Sequence, residues 1–473
     1  LYRLPIIVPS MPPISLIIIG AGPAGYECAV RAAKRGVQVT LIEEKSVGGV
    51  CLREGCIPTK CLCRTAELLD EINAAASFGI CLPEGTPRVD LAQAVGRKDG
   101  VVASLMQGVS ALLKHPNIRL VEGRAQFAPD GGGKTVIVNG ERLTADYIII
   151  ATGSRPRPLP IPGADLDGVV TSTELLSETT LPESLAIIGG GVIGLELATV
   201  FSTFGAKVTV VEFMREVLPG FDRDMAKRLR TALKRRGIDF RLNAAATAIE
   251  RNEADGKLLL HFTEKEKPQS VAADRVLVCV GRQPNVENLG LDNAGIDYGK
   301  RGITVDEHLQ TNVKGVYAAG DVNGRLLLAH AATRQAYLAL DHLLHDAAPE
   351  EWPAPQPYSA EGTPSVVFTH PELAAIGPTE EQLEESGTPF TSHKARYASN
   401  GKAMAEGAGD GMLKILATPD GKILAAHILG HHAADLIHEV AALMSQNATL
   451  ADLQSFVHAH PTLSELLVTA SEG

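Results

Sequence analysis

One short pattern occurs twice in this chain, and it restricts the fold more than anything else in the 473 residues. An apolar run, Ser15–Ile19, leads into Gly20-Ala21-Gly22-Pro23-Ala24-Gly25. A helical pattern continues to about Arg35, then Gly36, then the apolar run Val39–Ile42, closed by Glu43. Further on, Leu185–Ile188 leads into Gly189-Gly190-Gly191-Val192-Ile193-Gly194. A helical pattern runs to about Phe204, then Gly205, then Val208–Val211, closed by Glu212. In both copies the acid stands 23 residues after the first glycine and seven after the helix-ending one. Each copy reads as strand–turn–helix–strand, the unit that binds dinucleotides. Gly20 and Gly189 allow the tight turn, Gly22 and Gly191 let backbone approach a pyrophosphate, and Gly25 and Gly194 let the helix pack on the strand. The helix N-terminus offers unpaired N–H groups to phosphate, and Glu43 and Glu212 are placed to accept from ribose hydroxyls. The fold class expected is therefore α/β: two Rossmann-like dinucleotide-binding domains, then a C-terminal α+β domain.

The domain borders show in proline runs, which continue neither a helix nor a central strand. Arg155–Gly163 separates the two repeats, and Pro349–Pro357 precedes the C-terminal segment. Between them Asp274–Val280 and Gly315–Asp321 read as strands. Beyond, Ser365–Thr369, Met412–Ala417 and Lys422–Leu429 read as extended, Ala433–Gln446 as an amphipathic helix, and Asp410-Gly411 and Pro419-Asp420-Gly421 as turns. With 45% hydrophobic and 21% charged residues the composition is that of a globular protein, and a net charge of −11 argues against a nucleic-acid surface. No apolar run approaches the length of a membrane span. Leu1–Pro13 lacks the pattern of a secretory signal, and Met11 is a candidate start.

The seven cysteines are odd in number, and five fall within residues 28–63, which suits a cytoplasmic protein with one functional pair better than a secreted disulfide framework. The candidate pair is Cys51 and Cys56, in Gly48-Gly49-Val50-Cys51-Leu52-Arg53-Glu54-Gly55-Cys56-Ile57-Pro58-Thr59-Lys60. Five positions of regular helix advance about 7.5 Å, whereas a disulfide brings its Cα atoms within about 4.4–6.8 Å. A bond there requires a distorted or partly helical turn, and a bond off its ideal geometry is easier to reduce. Near the C-terminus His460 is a candidate base with Glu465 as its partner, although Thr462-Leu463-Ser464-Glu465 equally fits a helix capping box. Cys28 and Cys279 read as core. His458, His431, His432 and His438 read as structural or helix-face residues, with no metal-ligand spacing.

Taken in order, GAGPAG, GGVCLREGCIPTK, ATGSRP, GGGVIGLE, VGRQPN, VYAAGDV and HAHPTLSE resemble the pyridine-nucleotide–disulfide oxidoreductases over about residues 15–472. The resemblance implies FAD on the first repeat and NAD on the second. It implies a discontinuous FAD-binding domain (14–157 and 282–350), an NAD-binding domain (158–281) and a dimerisation domain (358–473). It casts Cys56 as the thiol facing the flavin, Cys51 as the thiol that exchanges with substrate, and His460 with Glu465 as the base supplied across a homodimer. Lys60 paired with Glu196 belongs beside the flavin, and Gly153, Gly281, Asp321 and Ala329 join the cofactor-binding set. The reaction implied is oxidation of dihydrolipoamide with NAD⁺, the partners being free dihydrolipoamide or the lipoyl domains of a 2-oxoacid dehydrogenase or glycine cleavage complex. Glutathione reduction is the near alternative. It uses NADPH, which calls for arginines where Glu212-Phe213-Met214 stands. Mercuric-ion reduction lacks its C-terminal cysteines, and a catalytically retired flavoprotein is at odds with the intact Cys51, Cys56, His460 and Glu465. The chain departs from the family pattern at Val50, Arg53 and Gln335-Ala336, and carries extra thiols at Cys61 and Cys63 that could exchange with the pair.

Overall fold

The computed structural model describes residues 14–83 and 85–473, so the candidate start Met11 lies outside the described residues. In the first repeat the strands Ser15–Ile19 and Gln38–Glu43 pair in parallel around the helix Pro23–Lys34, with Ser15 opposite Gln38 and Ile19 opposite Ile42. The full sheet is parallel, in the order Val316–Ala318, Tyr147–Ile150, Ser15–Ile19, Gln38–Glu43, Ile118–Glu122. Unbroken runs such as Leu16–Ile19 and Ile148–Ile150 are buried throughout, as a parallel sheet covered on both faces demands. The second repeat builds the same arrangement: Asp239–Leu242, Lys207–Glu212, Ser184–Ile188, Arg275–Val278 and Val169–Val170, with the helix Val192–Phe204 after the first strand.

The likeness of the two sheets reaches single hydrogen bonds. Ser15 donates both its backbone N–H (2.8 Å) and its hydroxyl (2.6 Å) to Asp146 Oδ2. Ser184 does the same to Asp274 Oδ2, at 2.8 and 2.7 Å. In each sheet the first strand is thus pinned to the residue that opens its neighbour. Each repeat also carries a three-stranded antiparallel insertion: Ala125–Phe127, Thr135–Val138 and Glu141–Thr144 in the first, Ala244–Arg251, Leu258–Glu264 and Lys267–Ala273 in the second. The hairpins turn on Asn139-Gly140 and Lys265-Glu266, all four at positive φ, the geometry that matches strand twist.

The C-terminal sheet is antiparallel, in the order Ser365–Val367, Glu372–Ile376, Ile423–Gly430, Met412–Ala417, Thr391–Arg396, with the helices Ala433–Ser445 and Glu465–Ser471 packed on it. The residues fall into two compact units. One joins the described part of Leu1–Cys56 to Gly100–Arg155 and Arg282–Ala360; the other joins Ile57–Asp99 to Pro156–Gly281 and Glu361–Gly473. Among the described residues no helix is long and apolar enough to cross a membrane.

The serine–aspartate ties give a pH test. The Ser15 hydroxyl and N–H hold the Asp146 carboxyl below the usual range. Burial pushes the Asp274 carboxyl up, but Ser184 and Lys257 outweigh it and hold this group low as well. A depressed folded value stabilises the protein above the unfolded value, near pH 4, and the contribution is lost as pH falls through the folded value. Asp146→Asn and Asp274→Asn should each cost about 1 kcal/mol at pH 7, allowing for solvent screening. In thermal melts the gap from the parent should close below about pH 4.

Candidate active site

The two phosphate turns repay close comparison, because their six glycines answer to different demands. Gly20 and Gly189 have φ of +102° and +111°, and a Cβ on either would sit 2.4 or 2.5 Å from the carbonyl oxygen of Ala151 or Cys279. A Cβ on Gly25 or Gly194 would sit 1.8 or 2.2 Å from the carbonyl oxygen of Gly20 or Gly189. Packing within the chain therefore accounts for these four. It does not account for the middle pair: a Cβ on Gly22 would meet only the Gly49 Cα, at 3.7 Å, and one on Gly191 would meet nothing within 4 Å. The space kept clear lies at the start of a helix in both cases, where unpaired N–H groups face out. This is the fit expected of a dinucleotide pyrophosphate.

Both acids close the second strand and clamp the turn. Glu43 accepts from the Ala21 N–H at 2.7 Å and the Lys45 N–H at 2.9 Å. Glu212 accepts from the Gly190 N–H and, at 2.7 Å, from the Met214 N–H. Glu212 is 7% exposed. The bonds leave lone pairs on each carboxylate for a ribose.

The thiol pair is attached directly to the first turn. The Gly48 N–H donates to the Ala21 carbonyl at 2.8 Å, and a Cβ on Gly49 would press to 2.6 Å from the Gly22 Cα. From there the helix Gly49–Glu54 carries Cys51, breaks at Gly55 (φ −138°, ψ −101°), and the chain restarts at Cys56 as the helix Cys56–Ala74. The turn between the thiols is thus interrupted, as the spacing requires of a bondable pair. Both thiols are half-buried. Cys51 lies within electrostatic reach of Tyr26, whose hydroxyl is raised to about 12 by burial, then by Glu27 and Cys51.

Arg282 is a residue of this site that the sequence did not single out. It donates through Nε to Ser154 Oγ and through Nη2 to Ser154 O, both at 2.7 Å, while Ser154 Oγ donates to Asp321 Oδ2 at 2.5 Å. Burial lowers the Arg282 guanidinium, and Asp321, Cys56 and Glu54 oppose that. Arg282 is thus a half-buried cation within electrostatic reach of Cys56. The only sequence signals for Arg282 are the flanking Gly281 and the family motif. Burial likewise raises the Asp321 carboxyl, against Ser154 and Arg282. Gln335, where the family carries a carboxylate, is fully buried; its Oε1 accepts from Gly320 N–H and Asn323 Nδ2, both at 2.8 Å, and so shapes the loop that bears Asp321. Ala329 opens the helix Ala329–Ala347 that carries Gln335. Gly153 accepts through its carbonyl from Asn285 N–H (2.9 Å), and the Gly281 carbonyl accepts from Arg157 N–H (3.0 Å).

Lys60 and Glu196 pair as expected, Nζ to Oε2 at 2.9 Å and to Oε1 at 3.1 Å, with Glu196 only 3% exposed. Phe368 completes the group: its N–H donates to Glu196 Oε1 at 2.9 Å and its ring lies 4.3 Å beneath Lys60 Nζ. Cys61 and Cys63 are buried, and Cys63 donates to the Phe368 carbonyl at 3.5 Å. Burial first, then Glu196, pushes the Cys63 thiol far up, which makes it a poor partner for exchange. Burial also raises Cys28 and Cys279 to about 12. At the other departures, Arg53 donates to the Ser46 carbonyl at 3.1 Å and Val50 is exposed.

His460 Nδ1 lies 2.8 Å from Glu465 Oε1, and Glu465 Oε2 accepts from the Thr462 N–H at 2.8 Å. The capping-box reading is not met: the helix Glu465–Ser471 starts at Glu465 with Ser464 before it and no side-chain cap, and the Thr462 hydroxyl donates to the Ala459 carbonyl instead. The Thr462 N–H first, then His460, holds the Glu465 carboxyl below the usual range. The His460 side chain is 80% exposed, free to present Nε2 outward. His458 instead bonds Glu439 through Nε2 at 2.7 Å with its side chain 10% exposed, a structural position.

The family model for pyridine nucleotide-disulphide oxidoreductases matches residues 14–336, and that for the dimerisation domain of the same family matches 363–471. The chain belongs to this family. Among its relatives, dihydrolipoyl dehydrogenases of Haloferax volcanii and Bacillus subtilis are each 37% identical, over 97% and 96% of this chain and 95% and 97% of theirs. Of solved structures, the Cu(II) complex of the HOCl-induced flavoprotein disulfide reductase RclA from Escherichia coli is 31% identical, with a TM-score of 0.85 over 98% of this chain and 99% of that one. LpdA from Mycobacterium tuberculosis is 27% identical, with a TM-score of 0.87 over 97% and 99%. A family oxidoreductase with two such turns should separate packing from binding. Gly191→Asp supplies a good helix N-cap, so its melting temperature should match or exceed the parent's. Its carboxylate should weaken NADH binding, followed by fluorescence, by about 100-fold. Gly194→Ala should instead lose about 1–3 kcal/mol of stability through overpacking.

Proposed function

We propose that this protein is a dihydrolipoamide dehydrogenase that binds FAD on the Gly20–Gly25 turn and NAD on the Gly189–Gly194 turn. The observation that carries the reading is the tie from Gly48 and Gly49 to Ala21 and Gly22, which fixes a thiol pair to a phosphate turn. The FAD-binding domain is assigned to 14–157 and 282–350, the NAD-binding domain to 158–281 and the interface domain to 358–473. The return of Val316–Ala318 to the first sheet supports the discontinuity. The active form is a homodimer, and the cysteine distribution favours the cytoplasm.

In the reaction, one substrate thiolate attacks Cys51 Sγ of the oxidised pair. The Cys51–Cys56 bond breaks, and its electron pair leaves on Cys56 as a thiolate stabilised by Arg282. The second substrate thiolate attacks its own sulfur partner in the mixed disulfide, closing lipoamide and releasing the Cys51 thiolate. His460 of the partner subunit takes the substrate protons one at a time through Nε2, giving the first to solvent before taking the second, while Glu465 holds its Nδ1 and favours the charged ring. FAD supplies the two-electron chemistry between the thiol pair and NAD⁺. Lys60, held by Glu196 and Phe368, is assigned to the flavin, together with Gly153, Gly281, Asp321 and Ala329. The balance is dihydrolipoamide plus NAD⁺ to lipoamide, NADH and one proton.

The deciding assay monitors NAD⁺ reduction by free dihydrolipoamide beside NADPH oxidation by glutathione disulfide. Activity in the first and none in the second is expected; the reverse overturns the reading. His460→Gln should slow dithiol oxidation by about 10²–10⁴-fold with flavin content unchanged. At the second site, the Glu212 carboxylate faces the ribose edge where NADP would add a phosphate of about −2 charge. Glu216 is committed to Arg230 at 2.6 and 3.0 Å, and Arg215 is exposed. We expect kcat/KM for NAD⁺ to exceed that for NADP⁺ by at least about 100-fold. Glu212→Ala should narrow the ratio, and equal use by the parent would contradict the assignment.

A further inference from the structure

A fully buried lysine stands far in sequence from every residue assigned above. Lys414 lies mid-strand in Met412–Ala417 and is 0% exposed. Its ammonium donates to Asp222 Oδ1 (2.8 Å) and Oδ2 (2.9 Å) and lies 3.0 Å from Glu380 Oε2. Asp222 is 1% exposed, and Glu380 is itself held by the Ser392 hydroxyl at 2.7 Å. The strand partner opposite Lys414 is His427, also buried, and burial lowers its imidazole from the ordinary value. A buried ion pair is costly to assemble and costly to break from one side, which makes it a fixed point rather than a cheap source of stability.

What it fixes is the end of the loop 213–221. Asp222 caps the helix Arg223–Arg235 through the Met225 N–H at 3.2 Å, and the loop runs from Glu212 directly into it. The loop lies on the second phosphate turn. The Leu218 N–H donates to the Gly190 carbonyl at 2.9 Å, and Val217 Cγ1 sits 3.0 Å from where a Gly190 Cβ would be. Leu218 holds φ at +53°, a left-handed conformation that a leucine keeps only where its surroundings impose it. The loop is held at both ends: the Met214 N–H on Glu212 at 2.7 Å, and Asp222 on Lys414.

We propose that Lys414, from the dimerisation domain, is a positioning residue for the pyridine nucleotide: through Asp222 it holds the loop 213–221 on the Gly189–Gly194 turn and thereby sets nucleotide affinity. The proposal rests on the reading of that turn as the NAD site. Lys414 touches neither the thiol pair nor its turn, so the two half-reactions should separate when it is changed.

The test uses the flavin-loaded enzyme and three variants. Lys414→Met keeps the volume and removes the cation. Asp222→Asn keeps the helix cap and removes the charge that the lysine holds. The double variant removes the fully buried carboxylate together with the cation, leaving only the partly exposed Glu380, which keeps the Ser392 hydroxyl, and so is the variant expected to fold if the first does not. For each, NADH affinity is read by fluorescence titration, and reduction of the bound flavin by dihydrolipoamide is read anaerobically without nucleotide. About tenfold weaker NADH binding in Asp222→Asn and in the double variant, non-additive between them, with flavin reduction within about twofold of the parent, is expected. NADH affinity within about twofold of the parent in either folded variant overturns the proposal, as does an equal loss in both half-reactions. Gly191→Asp serves as the control: if it leaves NADH binding intact, the NAD-site reading fails, independently of Lys414.

Discussion

Each nucleotide-binding half hangs on one close approach of backbone to backbone, the turn after its first strand pressed on the carbonyl that ends the neighbouring strand. Gly20 lies on Ala151 and Gly189 on Cys279, each too near for any Cβ. That approach aims the following helix outward and leaves Gly22 and Gly191 bordering open space. The Ser15–Asp146 and Ser184–Asp274 ties hold the strands that make it possible.

The same scaffold then serves two purposes through the segment beyond the acid. In both copies the second turn residue donates to the acid, and the chain past it returns an N–H to that residue's carbonyl: Gly48 to Ala21 at 2.8 Å, Leu218 to Gly190 at 2.9 Å. In the first copy the returning segment carries Cys51 and Cys56. In the second it carries a loop that ends on a buried aspartate. One hydrogen bond thus anchors the cysteine pair in one half and the loop 213–221 in the other.

The repeat was legible because its signals are local: apolar runs, glycines at fixed offsets, an acid at the strand end. The observed elements Pro23–Lys34, Val192–Phe204 and Met412–Ala417 match those expected, within a residue or so at their ends. What stayed hidden depends on partners distant in sequence or on atypical residues. Arg282 meets Ser154 across 128 positions, and Lys414 meets Asp222 across 192. Lys414 also sits in a strand buried at every position, where alternation gives no warning that a charge points inward. The Asn139-Gly140 hairpin carries the usual turn signal, but Lys265-Glu266 adopts the same left-handed pair with two side-chain-bearing residues. The helix Leu91–Leu112 contains Gly96, Gly100 and Gly108, each of which weakens the helical pattern. Glu465 offered two readings from spacing alone, and only the placed helix shows that it opens the helix as the first residue, one oxygen on His460, rather than closing a capping box from the third position.

The central claim is that the thiol pair and the flavin form one redox unit, and an electron count tests it most directly. The oxidised, FAD-loaded protein would be titrated anaerobically with dithionite and the uptake at full reduction measured per chain. Two electrons for the Cys51–Cys56 disulfide and two for FAD give about four for the parent, and about two for Cys51→Ser, by the stoichiometry of the two-electron thiol–disulfide couple. Uptake of only about two electrons by the parent, unchanged in the variant, would show that the pair takes no part and would contradict the account.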